Sequence, residues 1–197
     1  MLHVVSLKKA KEVLRSRDVL VYPTETAYGI GCDARNRAAI KKIYTIKGRD
    51  EKKPVALIAS SLAMVRRCFV LEGEALCLAK HFWPGPLTHI LPVKDVYIQR
   101  ALGLSHVGVR VSSHNISCTL SRSVGAPIVS TSANKSGGEM CYSLKEVEQS
   151  FKSDLDIFAV DGGKLKKRKA STLVKCDGVS CEILRQGSIK IPRAFVK

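Results

Sequence analysis

Asp18-Val19-Leu20-Val21-Tyr22-Pro23-Thr24-Glu25-Thr26-Ala27-Tyr28-Gly29-Ile30-Gly31-Cys32-Asp33-Ala34 is the stretch on which the fold turns. Its first five residues read as a strand closed by Pro23, because β-branched and aromatic side chains favour extended backbone. Pro23 to Gly31 then reads as a loop, dense in turn formers and hydroxyls, that can offer backbone amides and threonine hydroxyls to a small polar ligand. Gly29 to Ala34 also matches GxGxxA, and Asp50 follows about twenty residues later, as in a dinucleotide fingerprint. That reading would make the fold a doubly wound parallel sheet. In such a unit the acidic residue ends the second strand, whereas Asp50 and Glu51 precede the next strand, Val55–Ala59, so the fingerprint is rejected. No GxxxxGK[ST] phosphate loop occurs either, and a nucleotide must be held another way.

Outward from this stretch, helical and extended patterns alternate. Ser6 caps a helix whose apolar face is Leu7, Ala10, Val13 and Leu14. A second helix is expected over Arg35–Ile46, and a third over Glu72–Phe82, stopped by Pro84-Gly85-Pro86. Strands are expected at Leu87–Val93, Val107–Val111 and Pro127–Ser130, with a helix over Asn115–Val124. Ser143 and Glu146 form a capping box for a further helix. Ile157–Val160, Thr172–Lys175 and Glu182–Leu184 complete the set as short strands. With no repeat and no low-complexity linker, residues 1–197 read as a single mixed α/β (α+β) domain.

Composition sets the broad class. The chain has 197 residues, 45% of them hydrophobic and 25% charged. That is enough apolar side chain to offset ordering entropy and to fill a core without disulfide staples. No apolar run approaches the roughly 18 residues of a membrane span, and the N-terminus is charged too early for a secretory signal. A cytoplasmic location with no membrane partner is therefore expected. The seven cysteines have no CxxC pair. Even Cys176 and Cys181 lack a matching Cys/His pair, so all read as buried reduced thiols rather than zinc ligands. Thirty-three Lys+Arg against 17 Asp+Glu give a net charge of +16, which favours nucleic acid or phosphorylated ligands.

Several clusters could carry chemistry. Lys47-Gly48-Arg49 leaves a helix end with two cations, and Lys53-Pro54 follows. Arg110 projects from a β-rich run, where a guanidinium is costly to bury unpaired; an anionic ligand or a structural carboxylate must answer it. Ser130-Thr131-Ser132-Ala133-Asn134-Lys135-Ser136-Gly137-Gly138 ends another strand with hydroxyls, an amide and glycines. Basic groups and amide donors converging on one cleft suit a triphosphate. The five histidines show no metal spacing and are assigned no role, and Trp83 is a core candidate. Lys164–Lys169 reads as an exposed basic loop that could touch a phosphate backbone.

Together PTETAYGIGCDA, KGR with a following KP, PGPLT, VGVR, STSANKSG, DGG…STLV and ILRQG resemble the YrdC-type threonylcarbamoyl-AMP synthase family. They run in the family's order from about Val19 to Gly187. The complete K-x-R and S-x-N pairs, Lys47/Arg49 and Ser132/Asn134, favour the synthase branch over the related YciO branch. The resemblance implies a twisted mixed β-sheet with flanking helices and a concave, positively charged cleft, without an additional C-terminal domain. It implies a reaction of L-threonine, bicarbonate or CO2, and ATP to L-threonylcarbamoyl-AMP and pyrophosphate. The product would pass to tRNA-modifying partner proteins that act on the adenosine beside the anticodon. Catalysis is implied for Lys47 and Arg49, with ATP bound by these two and by Lys53, Ser132, Asn134 and Arg185. L-Threonine would be bound by Thr24, Tyr28, Arg110, Ser130 and Ser171. Mg2+ would arrive with ATP, and no protein-held metal is implied.

This chain departs from the family pattern in places. Glu25 replaces the more usual Asp, and Asp50-Glu51 follows Arg49 where proline is common. Two rivals are weighed against the synthase. An RNA-binding protein, using the same basic cleft for tRNA or structured RNA, is opposed by the aromatic content of 6%, too low for a stacking platform. A carbamoyltransferase is opposed by the lack of the zinc and acylphosphatase segments of such homologues.

Overall fold

The computed structural model describes residues 1–151, 156–192 and 195. From the N-terminus run β1 (Leu2–Val4), α1 (Leu7–Arg15), β2 (Leu20–Pro23), β3 (Tyr28–Gly31), α2 (Arg37–Lys47), β4 (Ala56–Ala59), α3 (Leu62–Cys68) and α4 (Gly73–Phe82). These are followed by β5 (Leu87–Pro92), α5 (Val96–Leu102), β6 (His106–Val111), α6 (Asn115–Val124), β7 (Ile128–Ser132), α7 (Leu144–Phe151), β8 (Ile157–Ala159), β9 (Thr172–Cys176) and β10 (Cys181–Arg185). Ser6 caps α1 as expected, its hydroxyl accepting from the Lys9 amide at 3.3 Å. At α7 the Ser143 hydroxyl accepts from the Glu146 amide, but the Glu146 carboxylate reaches one residue further back, to the Tyr142 amide.

The strands form one mixed sheet in the order β1-β8-β2-β3-β7-β4-β6-β5-β9-β10. Pairing is parallel for β1/β8, β2/β8, β4/β6 and β5/β9, and antiparallel elsewhere. The main core runs along the sheet, and α1 and α6 enclose a second cluster with Leu14, Leu20, Ile58, Leu120 and Ile128. Each such fully buried aliphatic side chain is worth about 1.5–3 kcal/mol of transfer free energy.

The structure corrects the sequence reading at three places. Tyr28–Gly31 is not loop but a buried strand between β2 and β7. Gly31 serves close approach rather than a phosphate turn: a Cβ there would sit 1.7 Å from the Val129 carbonyl oxygen. The turn shrinks to Thr24–Ala27, closed by the Thr24 amide on the Ala27 carbonyl at 3.1 Å. Secondly, β1, α3 and α5 are additional. The first has three residues and the helices seven each, too short for a periodic pattern to register. Thirdly, Cys176 and Cys181 are not reduced thiols but a disulfide. They face each other in the β9/β10 register, which spacing alone does not reveal. Of the remaining cysteines, Cys32, Cys68 and Cys141 are buried and Cys77 is exposed.

Trp83 packs against the core and donates its indole N–H to the Leu87 carbonyl at 2.6 Å. His89 lies edge-on to Trp83, 1% exposed, with Nε2 unpartnered. Burial pushes its pKa down to about 4. Lys164–Lys169 is an exposed loop anchored at Leu165, whose amide donates to the Tyr142 carbonyl at 2.7 Å. Among the described residues no helix is long and apolar enough to cross a membrane.

Candidate active site

A cleft of about 400 Å³ lies on one face of the sheet. Strand residues two apart point to the same face, so Thr88 and Ile90, Gly108 and Arg110, and Ser130 and Ser132 all look into it. Register places Ser130, Ala56, Gly108 and Ile90 in a row across β7, β4, β6 and β5. The hollow exists because this row is small at its centre: a Cβ on Gly108 would already stand 3.1 Å from Thr88 Cγ2 and 3.7 Å from Ala56 Cβ. The alternate residues Leu57, Val109 and Val129 point the other way, into the core.

Three guanidiniums, those of Arg49, Arg110 and Arg185, line the cleft, with no carboxylate among its lining residues. Arg110 is held from behind. Its Nε donates to Glu25 Oε1 at 2.8 Å, and the same carboxylate accepts from the Ser112 hydroxyl. Both ion-pair side chains are under a tenth exposed. Burial alone would push the Glu25 carboxyl up; the Arg110 charge and the Ser112 hydroxyl outweigh it and hold the group below its usual range. Arg185 donates to the Ser171 carbonyl at 3.0 Å and to its hydroxyl at 3.3 Å. Partial burial and the neighbouring Arg110 charge lower its pKa, so two like charges face a common space that an anion would stabilise.

Arg49 sits at the rim, half-buried, its guanidinium fixed by the carbonyls of Lys53 at 3.2 Å and Pro54 at 3.0 Å. Lys47 is 1% exposed and does not line the cleft. Its ammonium donates to the carbonyls of Ser132 (2.5 Å) and Asn134 (2.6 Å) and to Asn134 Oδ1 (3.3 Å). Burial, and then the Arg49 charge, push its pKa down to about 8, which leaves it protonated at neutral pH. Asn134 lies beside it, its Oδ1 accepting from the Ser132 hydroxyl at 2.6 Å and its Nδ2 donating to the Gly138 carbonyl. Lys47 and Asn134 thus stand directly behind the wall that Ser132 presents.

Of the residues singled out from the sequence, Thr24, Tyr28, Arg49, Arg110, Ser130, Ser132, Ser171 and Arg185 converge on the cleft, and Lys47, Lys53 and Asn134 do not line it. The Thr24 hydroxyl donates to the Ala27 carbonyl at 2.7 Å and accepts the amides of Thr26 and Ala27. Tyr28 donates to the Gly163 carbonyl at 2.9 Å and accepts the Gly162 amide at 2.8 Å, tying the Asp161-Gly162-Gly163 segment to β3. Asp50 and Glu51 occupy a turn closed by the Lys53 amide and stay out of the cleft. Sequence reasoning missed two participants. Glu25 is the carboxylate that a buried Arg110 demands, and Thr88 holds the Ser171 hydroxyl at 2.8 Å.

A concave sheet face bearing arginines and hydroxyls, with no carboxylate among its lining residues, defines an α/β protein whose cleft has the chemistry to suit a small anionic ligand. Comparison with known proteins narrows the class. The Sua5/YciO/YrdC family model, described as "Telomere recombination", matches residues 12–187, and the chain belongs to that family. It is 37% identical over 175 residues to the threonylcarbamoyl-AMP synthase of Thiobacillus denitrificans, covering 87% of this chain and 90% of that protein. The protein of the same name from Bacillus subtilis is 36% identical over 189 residues, 93% of this chain but 54% of that one. Among solved structures, P. abyssi Sua5 complexed with L-threonine superposes with a TM-score of 0.83 at 31% identity, over 95% of this chain and 57% of that chain. E. coli YciO matches over the full length of both chains, with a TM-score of 0.84 at 23% identity, a likeness of fold. This chain thus spans most of one relative and little more than half of the longer ones.

Proposed function

We propose that this chain is an L-threonylcarbamoyl-AMP synthase. The observation that supports it most directly is the convergence of Arg49, Arg110 and Arg185 on one carboxylate-free, hydroxyl-lined cleft, in a family whose relatives carry that name. In the reaction the amine of L-threonine captures bicarbonate or CO2 to give a carbamate. A carbamate oxygen then attacks the α-phosphorus of ATP; the new P–O bond forms as pyrophosphate leaves with the electrons of the broken one. Two anions must approach each other, so charge neutralisation and alignment are the main demands, and no covalent nucleophile is required.

The geometry supports a division of labour. Arg49 at the rim and Arg185 on the far wall meet phosphate oxygens. Ser132 orients the nucleotide, with Asn134 and Lys47 fixing it from behind; Lys47 adds positive charge one layer below the surface rather than direct contact. Arg110, aimed by Glu25, pairs with the threonine carboxylate, and Thr24, Ser130 and Ser171 bound that pocket. Tyr28 acts as a hub for the segment above it. Lys53 contributes its carbonyl to Arg49 more directly than its ammonium contributes to the cleft. The lining donors are hydroxyls and guanidiniums, a poor set for a resident cation, and among the described residues no three His/Cys/Asp/Glu are grouped to hold one. In this reading Mg2+ travels with ATP, held by phosphates and water. The product passes to partner proteins that complete the tRNA modification.

The test is pyrophosphate release from ATP with bicarbonate and Mg2+, with L-threonine, L-serine, glycine or no amino acid. Release that depends on threonine, with a threonylcarbamoyl-AMP mass, is expected. Release with none of them would overturn the reading and leave the cleft to a different anion, RNA phosphate included.

A further inference from the structure

At the opposite ends of β3 and β7 from the cleft, a second concavity of about 740 Å³ opens between the end of α1, the start of α2, the end of α6 and α5. Four arginines line it, Arg15, Arg17, Arg35 and Arg37, and all are exposed. One acid, Asp33, is among the lining residues, and it is taken up by Arg35 at 2.6 Å. The synthase chemistry uses none of these residues: Gly29, which borders the cleft, and Asp33 are four residues apart along the chain, roughly 13 Å of extended backbone.

The arginines are placed rather than merely solvated. Arg15 Nε is fixed on the Ser123 carbonyl at 3.1 Å, and Arg35 Nη2 on that of Val124 at 2.9 Å. Arg17 is the single non-glycine residue at positive φ (68°) among those described, a left-handed conformation costing about 1–2 kcal/mol in an L-residue with a Cβ. Asn36 holds it there, its Nδ2 donating to the Arg17 carbonyl at 2.8 Å while its Oδ1 caps α2. Arg37 occupies the first turn of α2, which contains no acidic residue. A cation at that end opposes the helix dipole, so an anion docked in the groove would relieve both the helix end and the crowded guanidiniums. Beside them Tyr97 stands 66% exposed on α5 and lines the same groove. Planar guanidinium forks match phosphate oxygens, and an exposed phenol ring offers a face for a base.

We infer that this groove is a second, non-catalytic binding site for an RNA strand, with phosphates on Arg15, Arg17 and Arg37 and a base on Tyr97. It is separate from the cleft and does not depend on the synthase reading. RNA is favoured over an acidic protein surface because the site combines unpaired guanidiniums with an exposed aromatic ring, on a chain of net charge +16.

The experiment is fluorescence anisotropy of a labelled tRNA transcript titrated with the full chain at several salt concentrations. Arg17→Gly relieves the backbone strain while removing the cation, so a folding failure does not confuse its result; Arg37→Glu and Tyr97→Ala complete the set, with thermal melts as the check on folding. Arg17→Gly and Arg37→Glu are each expected to weaken binding about tenfold and to flatten the log–log salt dependence by about one phosphate contact. Tyr97→Ala should weaken binding about fivefold, consistent with loss of base stacking. Unchanged affinity in all three overturns the proposal, as does loss of binding only when Lys166, Lys167 and Arg168 are neutralised, which would put the RNA on that loop. Sensitivity to both arginine changes but not to Tyr97→Ala, with polyglutamate competing as well as RNA, would make the groove a docking face for an acidic protein and would also overturn it.

Discussion

The two sides of the cleft are held by different physics. On the side of β3, β7 and the end of α2, nearly every buried polar group is spent inside the protein. Glu25 answers Arg110, Lys47 answers two carbonyls and an amide oxygen, and Asn134 links Ser132 to Gly138. On the side of β5, β9 and β10, a small apolar cluster of Leu78, Leu87, Val174, Cys181 and Ile191, with the Cys176–Cys181 bond, holds the sheet end together. There His89 is buried with an unpartnered nitrogen. The first side is held electrostatically: its buried charges and amide are satisfied by one another and by backbone carbonyls. The second is held by packing and a covalent link, and Arg185 reaches the cleft from it with only local bonds to Ser171.

The largest effect expected from breaking this contrast comes from Glu25→Leu. It strands a buried guanidinium and the Ser112 hydroxyl, and should cost about 3–5 kcal/mol in a urea unfolding curve. A loss under 1 kcal/mol would mean that Arg110 is solvated from the cleft and does not need its carboxylate. Next in size is Arg49→Ala. At the rim it should leave stability within about 0.5 kcal/mol yet slow threonine-dependent pyrophosphate release about 30- to 1000-fold, the equivalent of about 2–4 kcal/mol. Near wild-type release would remove Arg49 from the mechanism.

The smallest effect sharpens the other side. His89 has a folded pKa of about 4, below its ordinary 6.5. As pH falls below 6.5 the unfolded chain binds a proton that the fold refuses, so stability is lost on acidification and recovered as pH rises. Between pH 6.5 and 5 this amounts to about 1.6 kcal/mol. Part-buried His114, also shifted down, adds to the slope in both proteins compared. Denaturation of His89→Leu alongside the parent should show that increment missing; identical pH profiles would place a bound water or another partner on Nε2.

How far the sequence carries depends on where the deciding partner lies. Asn115–Val124 is legible to the residue, because its apolar spacing and the Gly125 that follows are local signals. Tyr28–Gly31 is misread because glycine signals a turn locally, whereas its reason is a carbonyl on β7 about a hundred residues away. Lys47 is similar: at a helix end beside Gly48 it reads as a solvated cation, and only the Ser132–Asn134 segment, 85 to 87 positions downstream, makes it a buried one. Arg110 is the intermediate case, since physics demands an anion but does not choose between a ligand and Glu25. The cleft-lining hydroxyls are found through the family's motifs, and their common orientation follows from strand periodicity once the register is known.

The bonds between α2 and the segment after β7 run in both directions. Lys47 Nζ serves the carbonyls of Ser132 and Asn134, while the Ser136 amide and Lys135 Nζ serve the carbonyls of Lys47 and Ile46. During synthesis the first half of this clasp leaves the ribosome long before the second. At about 5–20 residues per second the delay is several seconds, during which Lys47 and Glu25 have only water for company. The wall that Ser132 presents is therefore a late product of folding, assembled only after β7 has been made, and a nascent chain cut short of β7 has most of the other strands but lacks that side of the cleft.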